Sequence, residues 1–471
     1  MSIDHFLSLA SACHQEGHFL LAETYYRNVL ELAPDHRDAR LRLAQVLIRS
    51  NRFDDGIALL LPLLNRPGDM AAVYRLLGLA ETCAGRHPRA IDYLTRALEH
   101  APDDSSIMHF IANLQQLLGL DSAADASFRR AVRSKPMVTF GGVVTPPDYR
   151  VLFLFTPGAG NTPFDYLIQG ARFDSNVLIL LPDMDYDVDQ LRAEADVVVN
   201  LVSDVDLRQG VLDPAQALIE RIGRPIVNLP RVIAGTSRES IARCLSDITG
   251  CRVPQTRGYP AAELHAMLAR VPAPPLPFPL LARPAGAHGG THFEKIGDHA
   301  QLQAFVNRVD ATRYYLTPFV DYRSDDGYFR KYRFIYVDGE ILPYHLAIGD
   351  QWKVHHATTG MTGHPWMQAE EQAFLDDPWR VFGDAQRAAL QAIHDAIGLD
   401  YFGIDCALDP HGAIVMFEVN ATMLVHGNNE QFPYKTQAVE RIKHAFQAML
   451  ERRARYSGQG SSRTRRPPRS R

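Results

Sequence analysis

The residues most able to do chemistry stand near the C-terminus. Phe402-Gly403-Ile404-Asp405-Cys406-Ala407-Leu408, a turn at Asp409-Pro410-His411-Gly412, and Ala413-Ile414-Val415-Met416-Phe417-Glu418-Val419-Asn420 read as strand, tight turn, strand. Glu418 and Asn420 are two apart, so a strand turns both to one face. A symmetric hairpin closing near Pro410-His411 sets Asp405 diagonal to Glu418 on that face. Two carboxylates and an amide oxygen form a hard, all-oxygen donor set that suits Mg²⁺, which keeps several waters and shares its ligands with nucleotide phosphates. Phosphoryl transfer is the chemistry implied. The alternative is that Glu418 and Asn420 merely end a surface strand. Strands otherwise as apolar as Ile414 to Val419 rarely present an acid without a partner.

Upstream, the segment from Phe278 through Arg283 and Gly286 to Gly289-Gly290-Thr291 is a strand running into a glycine loop. Such a loop lets backbone N–H groups approach phosphate oxygens. Tyr315-Leu316-Thr317-Pro318-Phe319-Val320-Asp321 follows, and then two β segments around the Asp338-Gly339 turn, the first carrying Arg330, Lys331 and Arg333.

Gly403-Ile404-Asp405 with Glu418-Val419-Asn420 resembles the metal-binding signature of the ATP-grasp superfamily, close to glutathione synthetases and to the glutamate ligases that modify ribosomal protein tails. The resemblance covers about residues 150–450. It implies ATP and one or two Mg²⁺ ions as cofactors, with Mn²⁺ as a substitute, held by Asp405, Glu418 and Asn420. It implies a phosphate loop at Gly286, Gly289 and Gly290. Arg283 and Arg238 stand where the family usually carries lysines; both keep the charge, with a bulkier, bidentate group. The Tyr315–Asp321 stretch resembles the hinge that grips adenine, giving nucleotide contacts at Phe319, Val320 and Asp321. Pro318 has no N–H, which leaves Val320 as the donor and Asp321 for ribose. Arg333 corresponds to the arginine that faces the transferred phosphate, with Arg330 and Lys331 as solvated neighbours. Trp352-Lys353-Val354-His355-His356 fall where relatives place substrate- or phosphate-facing residues; two histidines without a third ligand are more often hydrogen-bonding residues than a metal site.

The reaction so implied joins a small carboxylate to an amine or peptide through an acyl phosphate, with ADP and phosphate released. Catalysis then comes from positioning and charge neutralisation, with Arg333 and Arg283 as the catalytic side chains. Two other outcomes share the site. One is a catalytically weakened nucleotide-binding scaffold, motivated by the two arginines; the other is a kinase that stops at a phosphorylated product.

These residues need elements to hold them. After Pro136 the pattern alternates strands and helices: Val151–Phe155, Asn176–Leu181, Asp196–Leu201 and Pro225–Asn228 read as buried parallel strands with helix-compatible segments between. A doubly wound α/β domain over 148–250 follows from that order. A strand-rich region (Leu280–Val337), a helix near Asp384–Ile397, the hairpin Tyr401–Asn420 and a closing helix Lys435–Arg453 make an α+β domain over 251–453.

The first stretch repeats every 34 residues: Pro34, Pro102 and Pro136 mark the period, and Pro67-Gly68 fills the missing stop. Ala22, Gly56, Ala90 and Ala124 stand at close helix crossings. Leu9, Leu43, Leu77 and Ile111 supply the first helix of each pair, Tyr26, Leu60, Leu94 and Phe128 the second, and Gly17, Gly85 and Gly119 the turn. This resembles the tetratricopeptide family over about residues 3–136 and implies an all-α solenoid of four repeats over 1–138, either a packed cap or a concave groove for a peptide or protein. The fold class expected is therefore multi-domain: an all-α tetratricopeptide solenoid, then α/β and α+β ATP-grasp parts. The tail, 456–471, is Gly, Ser, Arg and Pro with no apolar residues to bury, which predicts disorder.

A formal net charge of −5 gives no global attraction for nucleic acid or an anionic membrane. No run approaches the roughly 18 apolar residues of a membrane span, so a cytoplasmic protein is expected. Five scattered cysteines show no CxxC pairing and suggest reduced thiols.

Overall fold

The computed structural model of the protein describes residues 2–270, 276–287, 290–354 and 359–461. The chain divides into two compact units, Met1–Met137 and Val138–Arg471.

In the first unit eight helices pair in sequence: α1 (Ile3–Gln15) with α2 (Phe19–Leu32), α3 (Arg37–Arg49) with α4 (Phe53–Leu60), α5 (Met70–Cys83) with α6 (His87–His100), and α7 (Ser105–Leu117) with α8 (Asp121–Ser134). The expected crossing residues Ala22, Gly56, Ala90 and Ala124 are buried, as are Tyr26, Leu43, Leu60, Leu77, Leu94, Ile111 and Phe128. Gly17, Gly85 and Gly119 have positive φ at the turns, a conformation without steric cost only for glycine. Asp69 and Asp104 cap α5 and α7 by accepting backbone N–H bonds in the first turn. One repeat departs from the others. α4 stops at Leu60 and passes into a 3₁₀ turn, Leu61–Asn65, because Pro62 has no N–H for the next α-helical bond.

The second unit is built on three sheets. The first has the order β1-β3-β2-β4-β5, from β1 (Met137–Phe140), β2 (Arg150–Phe155), β3 (Asp174–Ile179), β4 (Val197–Asn200) and β5 (Ile226–Val227); the last four are parallel and match the expected strands. β1 precedes the boundary expected at 148. No helix links β2 to β3, contrary to the expected alternation. The connecting segment holds Pro157, Pro163 and three positive-φ glycines, Gly158, Gly160 and Gly170, which a helix does not tolerate. Further on lie α9 (Val188–Ala193), α10 (Val205–Ile222), α11 (Pro230–Ile233) and α12 (Arg238–Cys244).

β6 (Cys251–Arg252) belongs to the third sheet. The second sheet, order β7-β10-β8-β9, contains β7 (Arg257–Pro260), β8 (Leu280–Pro284), β9 (Glu294–Ile296) and β10 (Arg313–Pro318), packed with α13 (Ala261–Arg270) and α14 (His299–Arg308) around Leu264, Leu302, Phe305 and Tyr314. The third, order β12-β11-β13-β14-β6, contains β11 (Phe329–Val337), β12 (Glu340–Gly349), β13 (Tyr401–Leu408) and β14 (Ile414–Asn420). Asp338 and Gly339 both take positive φ at the expected turn. α15 (Pro365–Asp376) was not expected from the sequence; α16 (Asp384–Ile397) was. The closing helix α17 (Thr436–Ser461) runs past Arg453. The expected disorder from residue 456 therefore does not hold as far as Ser461, and 462–471 lie outside the described residues. One face of α17, through Val439, Ile442, Phe446 and Met449, shares a core with β2, β4, β11 and β13. That core ties the first sheet to the third.

Candidate functional site

A single row of side chains crosses the third sheet. His345 on β12 faces Arg333 on β11, Arg333 faces Asp405 on β13, and Asp405 faces Glu418 on β14. Facing residues share a side of the sheet, so all four point one way. A β-bulge sits on each outer strand. On β14 the pairing steps from Cys406↔Met416 to Asp405↔Glu418, leaving Phe417 as the extra residue, and on β12 it steps from Phe334↔Pro343 to Arg333↔His345, leaving Tyr344 extra. The diagonal placement expected for Asp405 and Glu418 is thus replaced by direct opposition. Without the extra residue, Asp405 would stand opposite Phe417 and Glu418 would turn to the far face.

The row is densely charged. Arg333 makes two bonds to Asp405, Nε to Oδ1 at 2.6 Å and Nη2 to Oδ2 at 2.9 Å, and Lys331 Nζ donates to Oδ2 at 3.1 Å. Arg238 Nη2 donates to Glu418 Oε1 at 2.5 Å. Burial raises the pKa of Asp405, yet Arg333 and Lys331 overcome it and hold the carboxyl well below its usual range. Glu418 is likewise held down, against burial, by Arg238 and then Arg283. Burial lowers Arg283 to about 10, with Arg238 adding to the effect. Among the described residues its Nε has no hydrogen-bond partner, and its Nη2 donates to the Ala287 carbonyl.

Part of this row lines a cleft. Arg238, Arg283, Lys331, Lys353, Asp405 and Glu418 line it together with Gly290 and with Ile241, Val253, Leu281, Phe293, Phe319, Val320, Trp352, Met416 and Phe417; Arg333 reaches it through Asp405. Lys353 Nζ donates to the Gly290 and Phe293 carbonyls at 2.8 and 3.1 Å, and Gly290 has φ +76°. A smaller polar pocket shares Arg238, Glu418 and Val419 with the cleft and is lined also by Asp206, Ser237, Gly286, Asn420 and Thr422. Gly286 has φ +70°, where any other residue would be strained, and a Cβ there would displace the exposed Leu207 side chain, whose Cδ2 lies 2.8 Å away.

The fold therefore gathers Arg238, Arg283, Arg333, Asp405 and Glu418 with Gly290, Phe319 and Val320, and it sets Gly286 and Asn420 in the adjoining pocket. The Phe319 N–H is bonded to the Pro279 carbonyl, so it is committed within the protein. Asp321 is exposed, away from the cleft lining, and its carboxylate accepts the Arg323 N–H. Gly289 and the His355-His356 pair lie outside the described residues. Lys331, expected as a solvated neighbour, bonds Asp405; Arg330 is held by Asp326 and Glu370. The signal for Lys331 was present, since it lies two residues from Arg333 on a strand. Sequence reasoning also missed a buried cluster behind the row. His345 Nδ1 lies 2.5 Å from Glu371 Oε1, which also accepts Leu346 N–H and Lys435 Nζ, while Tyr434 OH donates to Oε2 at 2.6 Å. Burial lowers His345 to about 4; Glu371, against burial, is held down to about 2 by His345 and Lys435.

The donor set at the row fits Mg²⁺ by its chemistry: two facing carboxylates, and an amide oxygen two residues along β14 from one of them, all hard oxygens. Among the described residues no group of three His, Cys, Asp or Glu surrounds a point in space. Asn420 would be the third protein ligand. Its Oδ1 now accepts from Thr422 N–H and Oγ1. Among the described residues no helix is long and apolar enough to cross a membrane.

Comparison with solved structures finds similar chains at low identity. The helical unit is similar to MamA from Desulfovibrio magneticus RS-1, with 21% identity over 28% of this chain and 76% of that one and a TM-score of 0.27. Over 66% of this chain and 99% of theirs, the D-alanine–D-alanine ligase of Bacillus anthracis complexed with ATP is 12% identical and the VanG D-Ala:D-Ser ligase of Enterococcus faecalis 14% identical, each with a TM-score of 0.39. No curated protein matches. The tetratricopeptide repeat model matches residues 14–80, within the first unit, whose helices pair in sequence along its whole length.

Proposed function

We propose that the second unit is an ATP-grasp carboxylate–amine ligase that uses ATP and Mg²⁺, and that the repeats recruit a peptide or protein substrate. The observation that carries this reading is the charged row, whose carboxylates Asp405 and Glu418 line a largely apolar cleft. Four cations, Arg238, Arg283, Lys331 and Arg333, stand around two carboxylates. That excess suits a polyphosphate, and the aromatic and aliphatic walls suit a nucleobase. The commitment of Phe319 N–H to Pro279 supports Val320 as the hinge donor to adenine.

Bound at Asp405, Glu418 and Asn420, Mg²⁺ would neutralise the phosphate charge that builds as the γ-phosphoryl group moves to the substrate carboxylate. Asp405 and Glu418, now paired with Arg333, Lys331 and Arg238, would hold the metal, and Arg333, Lys331, Arg238 and Arg283 would offset the charge of the phosphate oxygens. No protein nucleophile takes part. The polar pocket beside Asn420 would hold the carboxylate substrate, and the apolar walls would keep water from the acyl phosphate.

A second reading, a weakened nucleotide-binding scaffold, is favoured by one observation, the close Arg238–Glu418 pair where the family has a lysine. Product analysis separates the two. Mass spectrometry after incubation with ATP, Mg²⁺, the twenty protein amino acids and ammonium chloride should find ADP together with a new amide. ATP bound but unchanged would support the scaffold, and a phosphorylated end product would make the protein a kinase.

A further inference from the structure

A groove in the first unit is lined by only one helix of each pair. Its residues come from α1, α3, α5 and α7, and none comes from α2, α4, α6 or α8. The lining follows the 34-residue period: His14 and Ile48, Gln45 and Leu79, and Leu76 and Phe110 each stand one repeat apart. The positions recur, yet the residue types differ. In the core of the same helices the type recurs as well, since Leu43 and Leu77, also one period apart, are both fully buried leucines. The repeat pattern that sets the core therefore does not set the lining, whose side chains can answer to a ligand. That lining carries Arg49 and Arg75 and no acid. Both arginines are exposed, and among the described residues neither has an acidic partner. Elsewhere in the unit arginines are held by acids: Arg27 by Glu23, Arg52 by Glu23 and Asp55, Arg86 and Arg89 by Glu81. Arg49 lies 5.9 Å from the centroid of the Phe19 ring, a contact that orients the guanidinium and leaves its charge without a counter-ion. Its field reaches His14, whose pKa is lowered first by burial and then by Arg49 and Arg42.

We propose that this groove binds an acidic peptide segment: side-chain carboxylates of the segment pair with Arg49 and Arg75, and a large apolar side chain between them seats on Leu76, Leu79 and Phe110. Leu79 is 37% exposed and Phe110 is half-buried, so an apolar surface stands beside the two cations. The arginine fork matches a carboxylate with two parallel bonds. Pairs made at an exposed rim select the partner and speed its encounter more than they add affinity, while the apolar contact holds it. The apolar floor and the small number of cations favour a peptide over a nucleic acid, whose phosphates call for a longer basic track. The inference gives a chemical class to the peptide that the repeats are proposed to recruit; it rests on that recruiting role and not on the chemistry of the cleft.

A random dodecapeptide library displayed on phage, selected on the full-length protein without ATP, tests it. The wild type should enrich peptides richer in aspartate and glutamate than the starting library, with leucine or another large apolar residue among them. The double variant Arg49→Glu, Arg75→Glu, with an unchanged circular dichroism spectrum, should enrich lysine and arginine instead. The strongest acidic peptide, synthesised with a fluorescein label, should bind the double variant about 10-fold more weakly or worse, and added salt should weaken its complex with the wild type. Enriched peptides without an acidic excess, the same peptides enriched on both proteins, or no enrichment at all would overturn the inference. So would a labelled single-stranded oligonucleotide that binds through Arg49 and Arg75 more tightly than any selected peptide. Amide formation from small substrates is read separately: protein that makes the amide but selects no acidic peptide loses this inference and keeps the ligase reading, whereas protein that selects acidic peptides but makes no amide keeps the inference and loses the ligase.

Discussion

The repeats and the cleft use charge differently. Several arginine–acid pairs of the first unit, such as Arg42–Asp38 and Arg52–Asp55, are exposed neighbours about one helical turn apart, and pairs of that kind contribute little; Glu81, fully buried and paired with Arg86 and Arg89, is the departure. Order there comes from Leu43, Leu77, Leu94 and their equivalents, repeated with the 34-residue period. In the second unit Asp405 is only 6% exposed and bonds two cations, while Glu371 is more buried still. Burying such pairs gains little over apolar residues of the same volume. The difference teaches that the repeats rest mainly on apolar packing, with Glu81 as a buried charge inside it, whereas Asp405 and Glu418 keep their charges on the lining of a cleft, where a ligand can exchange with their partners.

The largest test of this contrast is Asp405→Asn. It removes a charge that metal and arginine both require, and ADP release in the presence of Mg²⁺ should fall by about 10³-fold with the circular dichroism spectrum unchanged. Turnover undiminished in this variant and in Glu418→Gln would remove the row from the chemistry.

Arg333→Ala should lower kcat and kcat/KM together by about 10²-fold with a nearly unchanged ATP dissociation constant, the mark of a contact made in the transition state. Arg333 is bonded to Asp405, and Asp338, the nearest acid after it in sequence, is paired with Arg452 and Arg453. A defect confined to ATP affinity would move Arg333 from the chemical step to binding.

Leu77→Ala carries the contrast into the repeats. Leu77 is fully buried, and the cavity should cost about 2–5 kcal/mol, read as an earlier urea transition of the helical unit. MgATP turnover on small substrates should not change. A parallel loss of turnover would show that the repeats support the cleft directly.

The smallest expected effect is on pH dependence. His345 is depressed to about 4 from an ordinary 6.5, so the unfolded chain binds that proton more tightly. Its contribution to stability is present above pH 6.5 and is lost as pH falls towards 4, a window above the one in which Glu371, at about 2, is protonated. The urea midpoint of the second unit should decline between pH 6.5 and 4, and His345→Gln should make the decline shallower. An unchanged slope would mean that the Glu371, Lys435 and Arg333 environment does not hold the imidazole neutral.

What could be read from the sequence follows the range of the forces involved. The repeats were legible because their signal is local: small residues, turn glycines and apolar positions recur at one spacing. The strands of the first sheet were legible as short apolar runs, and Asp405, Glu418 and Asn420 through their period-two pattern. Register was not. The extra residues Phe417 and Tyr344 are ordinary members of their strands, and only pairing with Cys406 and Arg333 makes them bulges. The Glu371 anchor was invisible for the same reason. It lies on a helix 26 positions from His345, and no periodicity joins them. Arg238 and Glu418 meet across 180 positions. Asp321 shows the reverse: the hinge pattern suggested a ligand contact, yet two residues beyond Phe319 the chain has already turned to solvent.

The central claim is that the row and its cleft form one site for ATP with its metal. Calorimetric titration of ATP into the full-length protein, with and without Mg²⁺, and into Glu418→Gln tests it most directly. The account predicts binding that Mg²⁺ tightens in the wild type and a loss of that tightening in the variant. Wild-type protein that binds no ATP, or a Mg²⁺ dependence unchanged by Glu418→Gln, would contradict it.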